Sequence, residues 1–174
     1  LRGIYEPYNY TRKVIGFDTF SGFLKRSLSI KDGNHNTISK GSYNVTKNYK
    51  KYLEELLKLK NSELPIEHIK KFDLLKGDAV KQSKQYFKKN KQDIVALAYF
   101  DLDLYRPTKE IIKTILPRTV GGSIILFDEL NHPSYPGETI AFIEELLSKK
   151  KYKLIRSKIS AAKSYIIIEK NKKI

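Results

Sequence analysis

The chain has 174 residues with an apolar fraction of 40%, enough to bury one core and too short for two, so it reads as a single domain over 1–174. Its longest unbroken apolar run, Ile94 to Phe100, falls far below the roughly 20 residues that cross a bilayer. The net charge of +15 rests on 28 lysines against 6 arginines, much of it on the outer faces of helical patterns such as Lys47–Lys51 and Lys81–Lys91, which favours solubilising faces over a nucleic-acid surface.

Leu1 to Pro7 lacks the charged-then-apolar layout of a secretory signal, and the absence of cysteine is compatible with a cytoplasmic protein. Val14 to Phe17 then reads as a short buried strand, followed by a polar, Gly- and Asn-containing excursion from Ser21 to Ser42 that is expected to be mobile. Tyr49, Tyr52, Leu53, Leu56 and Leu57 recur at helical spacing, and Leu64-Pro-Ile66 breaks that helix. Ile69 to Leu75 reads as a strand, and Ala79, Val80, Ser83, Tyr86 and Phe87 mark the inner stripe of a second helix. The run Ile94 to Phe100, a helix opened by Pro107, and the run Ser123 to Phe127 come next. A fourth helix over Thr139–Lys149 and two strands, Tyr152–Arg156 and Ser164–Glu169, spaced for an antiparallel pair, close the chain. Apolar strands alternating with helices predict a mainly parallel α/β sheet covered on both faces.

Ligands of open α/β sheets bind outside the carboxyl ends of the strands, and three strands here end in acid: at Asp18, at Asp101 with Asp103, and at Asp128 with Glu129. If strand alternation continued, Asp101 and Asp103 would point to one side and could meet Asp128 or Glu129. Such a cluster needs a cation or protons, and carboxylates without cysteine suit a hard divalent ion, Mg2+, Mn2+ or Ca2+. The same acids also suit helix caps and loop hydrogen bonds, so either role stays open for each.

Four stretches occur together and in order: Lys13-Val-Ile-Gly-Phe-Asp-Thr-Phe-Ser-Gly-Phe23, Lys76-Gly-Asp78, Phe100-Asp-Leu-Asp-Leu-Tyr-Arg-Pro-Thr108, and Gly121-Gly-Ser-Ile-Ile-Leu-Phe-Asp-Glu-Leu130 with Pro136-Gly-Glu138. Together they resemble the macrocin O-methyltransferase family, class I S-adenosylmethionine-dependent enzymes that methylate sugar hydroxyls. The resemblance implies a Rossmann-like doubly wound sheet with a C-terminal antiparallel hairpin. It implies a cofactor site in which Asp18, with Thr19, holds the ribose hydroxyls, Gly77 and Asp78 form the adenine side, and Asp101 lies nearby. It implies Mg2+ or another hard divalent cation on Asp101, Asp128 and Glu129, with Asp103 as a further ligand or the base and His132 as the runner-up for the latter role. Tyr105, Arg106 and Tyr135 would line the pocket of a small-molecule or polysaccharide-precursor sugar acceptor, no nucleic acid or membrane span is implied, and a homo-oligomer is left open.

One departure from the family pattern stands out: no strand and Gly-rich turn precede Asp18, and Leu1 to Tyr5 reads only as the tail of the helix after such a turn. The expectation is therefore an upstream strand lying between the strands that end at Asp18 and near Asp101, with the 1–174 domain N-terminally incomplete. Two rivals share part of the pattern. An Asp-x-Asp glycosyltransferase would use the strand-end acids to hold a metal and nucleotide-sugar phosphates, and a non-enzymatic polyanion-binding module would use the lysines alone.

Overall fold

The computed structural model describes residues 5–149 and 151–169. The start expected to be a helix tail, Leu1–Ile4, lies outside these residues. Strand β1 (Val14–Asp18) pairs in parallel with β2 (Phe72–Lys76), and helix α1 (Tyr49–Ser62) lies between them in sequence. Helix α2 (Ala79–Lys89) packs on this pair through the edge-to-face contact of Tyr86 with Phe17, whose ring centroids are 5.9 Å apart. Strand β3 (Leu97–Phe100), helix α3 (Tyr105–Ile115), strand β4 (Ile124–Phe127) and helix α4 (Pro136–Glu145) follow, and β5 (Tyr152–Arg156) with β6 (Ser164–Ile168) forms the expected antiparallel hairpin.

The elements are those the periodicity predicts, with shifted ends. Helix α4 begins three residues before Thr139, at Pro136, and α3 begins at Tyr105, so Pro107 sits inside its first turn, where no intrahelical N–H is lost. The described strands form two ladders, β1-β2 and β3-β4-β6-β5: β1 with β2 and β3 with β4 are parallel as expected, and the antiparallel hairpin docks on β4 through β6, which makes the second ladder mixed.

Alternation along β4 explains where the core sits. Ile125 and Phe127 are fully buried against α3 and α4 with Ile112, Phe142, Leu146 and Ile166, and Phe127 stacks on Phe100 at 5.2 Å. The other face is open among the described residues: Leu97 and Tyr99 on β3 are 64% and 55% exposed.

The excursion expected to be mobile is tied down at one residue. Its backbone makes two short 3-10 turns, Lys25–Ser27 and Ile30–Asp32, and Asp32 is fully buried. One Asp32 oxygen accepts the Ser29 N–H (2.6 Å) and the other accepts the Tyr105 N–H (2.6 Å), the orphan donor at the start of α3, where Leu104 offers no side-chain cap. Gly137 on α4 comes so close that an added Cβ would stand 2.6 Å from both Asp32 Oδ1 and Tyr105 N. Around this clamp, Glu144 of α4 accepts from Lys31 (2.5 Å), Lys109 (2.6 Å) and the Tyr105 hydroxyl (2.6 Å), joining excursion, α3 and α4.

Because Asp32→Ala leaves two N–H groups without acceptors in a closed site, it is expected to destabilise the fold by about 2–4 kcal/mol, from the usual cost of unpaired buried donors. Urea unfolding would measure this, and Asp32→Asn, which keeps an acceptor oxygen, should lose less.

Candidate functional site

The carboxyl ends of the strands carry the site. At β1, Asp18 is exposed, with one oxygen accepting the Phe20 N–H (2.5 Å), while Thr19 is folded back, its hydroxyl donating to the Gly22 carbonyl. After β2, Gly77 adopts φ +138, a backbone that side chains rarely take, and its N–H reaches the Asp18 carbonyl (2.8 Å), so the two strand ends are locked together. Asp78 caps α2 through Val80 N–H (2.9 Å) and Lys81 N–H (3.3 Å), and its second oxygen accepts from Arg26 of the excursion (2.7 Å). Between Asp78 and the start of α3 lies a cavity of about 430 Å³ bounded by Arg26, Val80, Tyr105 and Arg106.

At β3 the premise of continued alternation fails. The strand ends at Phe100, and Asp103 takes φ +57 inside a tight turn closed by Leu104 N–H to the Leu102 carbonyl (2.5 Å). A non-glycine residue in that conformation costs about 1–3 kcal/mol and persists only where its surroundings over-determine it, here the Asp32 clamp two residues on. The turn still brings Asp101, Asp103 and Glu129 within electrostatic reach. Burial, then the charges of Asp101 and Glu129, push the Asp103 carboxyl up to about 6, with His132 opposing.

After β4 the acids part company. Glu129 has an oxygen buried without a hydrogen-bond partner, 3.7 Å from His132 Nε2, and its N–H donates to Glu138 (3.0 Å). Glu138 is fully buried on α4; burial, then Asp103, Glu129 and Asp101, push its carboxyl up to about 8 despite that hydrogen bond. Asp128 turns instead to the open face, where it is held by Lys163 and by the Tyr99 hydroxyl. The register makes this pairing: Phe127 lies opposite Ser164, which sets Lys163 beside Asp128. His132 is braced by the Ser134 N–H on Nδ1 (3.2 Å) and by the ring of Tyr135 at 5.3 Å.

No family model matches the chain, and no curated protein does. Among solved structures, the chain is similar to the crystal structure of CalS11, described as a calicheamicin methyltransferase, with 38% identity over 95% of this chain and a TM-score of 0.87. It is also similar to the apo structure of CalS11, described as a TDP-rhamnose 3'-O-methyltransferase of calicheamicin biosynthesis, at 36% identity, 95% coverage and a TM-score of 0.75. The likeness to CalS11 extends over nearly all of this chain. The O-methyltransferase NovP, at 15% identity, 92% coverage and a TM-score of 0.57, shares the fold. The two ladders with their flanking helices are thus pieces of a Rossmann-like class I methyltransferase fold. The chain spans 64%, 63% and 61% of these three structures.

Set on this fold, the site residues divide. Asp18, Gly77 and Asp78 come together at one end, and Asp101, Asp103, Glu129 and His132 at the other. The metal trio does not form: among the described residues no three His, Cys, Asp or Glu side chains are placed to hold an ion, because Asp128 is engaged by Lys163 and Tyr99. A cation at Asp128 would have to displace Lys163, and no step is drawn through one. Glu138, Lys163 and Tyr99 are site residues that the sequence reading does not single out as ligands or catalysts. The acid three residues into α4 was visible as part of Pro136-Gly-Glu138, and burial alone marks its role.

The raised carboxyls set a pH dependence. The folded chain holds protons on Glu138 and Asp103 that the unfolded chain releases near 4.5 and 3.8, so the contribution of these two groups to stability is fully present below those values and is lost as pH rises through about 6 and about 8. Glu138→Gln, measured by thermal unfolding from pH 5 to 8.5 in chelator, is expected to flatten the upper part of that decline.

Proposed function

We propose that this chain is part of an S-adenosylmethionine-dependent O-methyltransferase that acts on a hydroxyl of a sugar or glycosylated metabolite. The observation that carries the reading is the likeness to CalS11 over 95% of the chain at 38% identity. The residues suit the cofactor: Asp18 keeps a free oxygen at an exposed strand end for two ribose hydroxyls, and Gly77 turns the chain at φ +138 so that Asp78 stands at the edge of the cavity. Arg26 and Arg106, which donates to the Arg26 carbonyl (3.1 Å), would close the outer wall.

S-adenosylmethionine, when bound, supplies an electrophilic methyl group. The chain's own task is to align an acceptor oxygen and take its proton. Asp103 fits that task better than an ordinary aspartate, because burial and neighbouring acids strengthen it as a base while leaving it largely ionised near neutral pH. Glu129 and His132 flank it, and the buried carboxyl of Glu138 fixes Glu129 through its N–H. The strained turn at Asp103 presents the carboxylate at a fixed place, which lowers the entropic cost of alignment.

The same reading leaves a place for a further strand with a Gly-rich turn between β1 and β3, since neither has a second ladder partner among the described residues. A turn there would bring backbone amides toward the methionine end of the cofactor.

Asp18→Ala is expected to weaken S-adenosylmethionine binding by about 1–3 kcal/mol, the scale of a lost charge-assisted pair, as read by isothermal titration. An unchanged affinity in a folded variant would take Asp18 out of the site. Asp103→Asn should lower kcat by roughly 10²–10⁴, the usual worth of a general base, while cofactor affinity stays put. Retained turnover would move the base to His132.

A further inference from the structure

The excursion does more than connect β1 to α1; its far end builds a wall against the loop after β4. The Tyr135 hydroxyl lies 2.7 Å from Thr37 Oγ1, 2.6 Å from the Tyr43 hydroxyl and 3.5 Å from His35 Nδ1, and its ring packs at 5.3 Å from those of His35 and His132. Phe23 meets the Tyr43 ring edge-to-face at 5.3 Å. The ends of the loop are stapled, with Phe23 N–H on the Ser42 carbonyl (3.0 Å) and Gly41 N–H on the Phe23 carbonyl (2.9 Å).

Tyr43 is the unusual member. It holds φ +60, a strained backbone for a tyrosine, and its hydroxyl is tied to Tyr135, yet the residue is 55% exposed. A core tyrosine would be buried, and an ordinary surface tyrosine would be neither strained nor fixed. Tyr135, which holds the Tyr43 hydroxyl, packs its ring on that of His132, and His132 Nε2 stands 3.7 Å from Glu129, which places the wall beside the acid cluster.

We infer that this wall is the acceptor subsite, taking a pyranose ring with its apolar C–H face on Tyr43 and its hydroxyls toward Asp103 and His132. Sugars present alternating polar edges and an apolar face, so a fixed aromatic ring beside carboxylate and imidazole acceptors matches both. The hydroxyl chain Thr37–Tyr135–Tyr43 is satisfied internally, which leaves the ring's flat face as the part available to a ligand. This inference rests on the sugar methyltransferase reading and adds the residues that choose the acceptor.

The test compares Tyr43→Leu, which keeps bulk and removes the flat face, with Tyr43→Phe, which keeps the face and removes the hydroxyl. The natural full-length protein is assayed with S-adenosylmethionine and a panel of nucleotide-linked pyranoses that includes TDP-rhamnose, the sugar nucleotide in the description of CalS11. Tyr43→Leu should raise KM for the methylated sugar about tenfold, the scale of one aromatic contact, with kcat and the cofactor Kd little changed. Tyr43→Phe keeps the π-face but loses the tie to Tyr135, so its KM should lie between those of Tyr43→Leu and the unchanged protein. If the unchanged protein turns over a sugar and both variants match it, or both lose equally, the subsite is wrong while the methyltransferase reading stands. If the unchanged protein binds S-adenosylmethionine but methylates no sugar in the panel, the sugar reading and the subsite fall together.

Discussion

A single buried carboxylate organises the carboxyl edge of this molecule. Asp32 takes the Tyr105 N–H from 73 residues away and so does for α3 what a local cap usually does. It fixes the axis of α3, and with it the tight turn at Asp103 just upstream. It also holds the excursion close enough that Gly137 of α4 has no room for a Cβ. The acid turn, the excursion wall and the start of α4 therefore share one anchor. Burying a carboxylate is costly in itself, and burial raises the Asp32 carboxyl, so the two short backbone hydrogen bonds must offset its desolvation.

Around that anchor the charges segregate. The chain carries +15 overall, but its carboxyl edge gathers Asp101, Asp103, Glu129 and Glu138 behind a rim that is partly buried. Lysines on the outer faces make exposed i,i+4 pairs, such as Lys51 with Glu55 at 4.0 Å, which contribute little to stability. Lys163 is different. It stands at the acid edge and neutralises Asp128, so one of the five strand-end acids is withdrawn from the cluster by a cation that the chain itself provides.

Much of this was legible in the sequence because it is local. Strand ends, helix stripes and the strand-end acids follow from periodicity over a few residues, and the C-terminal hairpin from spacing alone. The motifs around Asp18, Asp101 and Asp128 carried the family resemblance. What the sequence hid depends on residues far apart. The Asp32 clamp joins two loops, the pairing of Lys163 with Asp128 depends on β6 docking antiparallel to β4, and Glu138 gains its character from burial. Alternation was carried one turn too far at Asp103, where the strand had already ended. The excursion read as loose because its polar composition does not reveal that one aspartate is swallowed by the fold.

The division of the sheet has a mechanical meaning. Strand ends within one ladder are registered by backbone hydrogen bonds, which permit little slip. Asp18 and Gly77 are registered to each other in that way, but their position relative to Asp103 is transmitted through interdigitated side chains: Phe17 on Tyr86, Tyr86 on Phe87, and Phe87 in the core with Ile112. Packed rings can slide by fractions of an ångström through small changes of rotamer, whereas ladders cannot. Among the described residues, the distance between the Asp18–Gly77 end and the acid end is set by side-chain packing on α2, and a strand between β1 and β3 would replace that packing with a ladder.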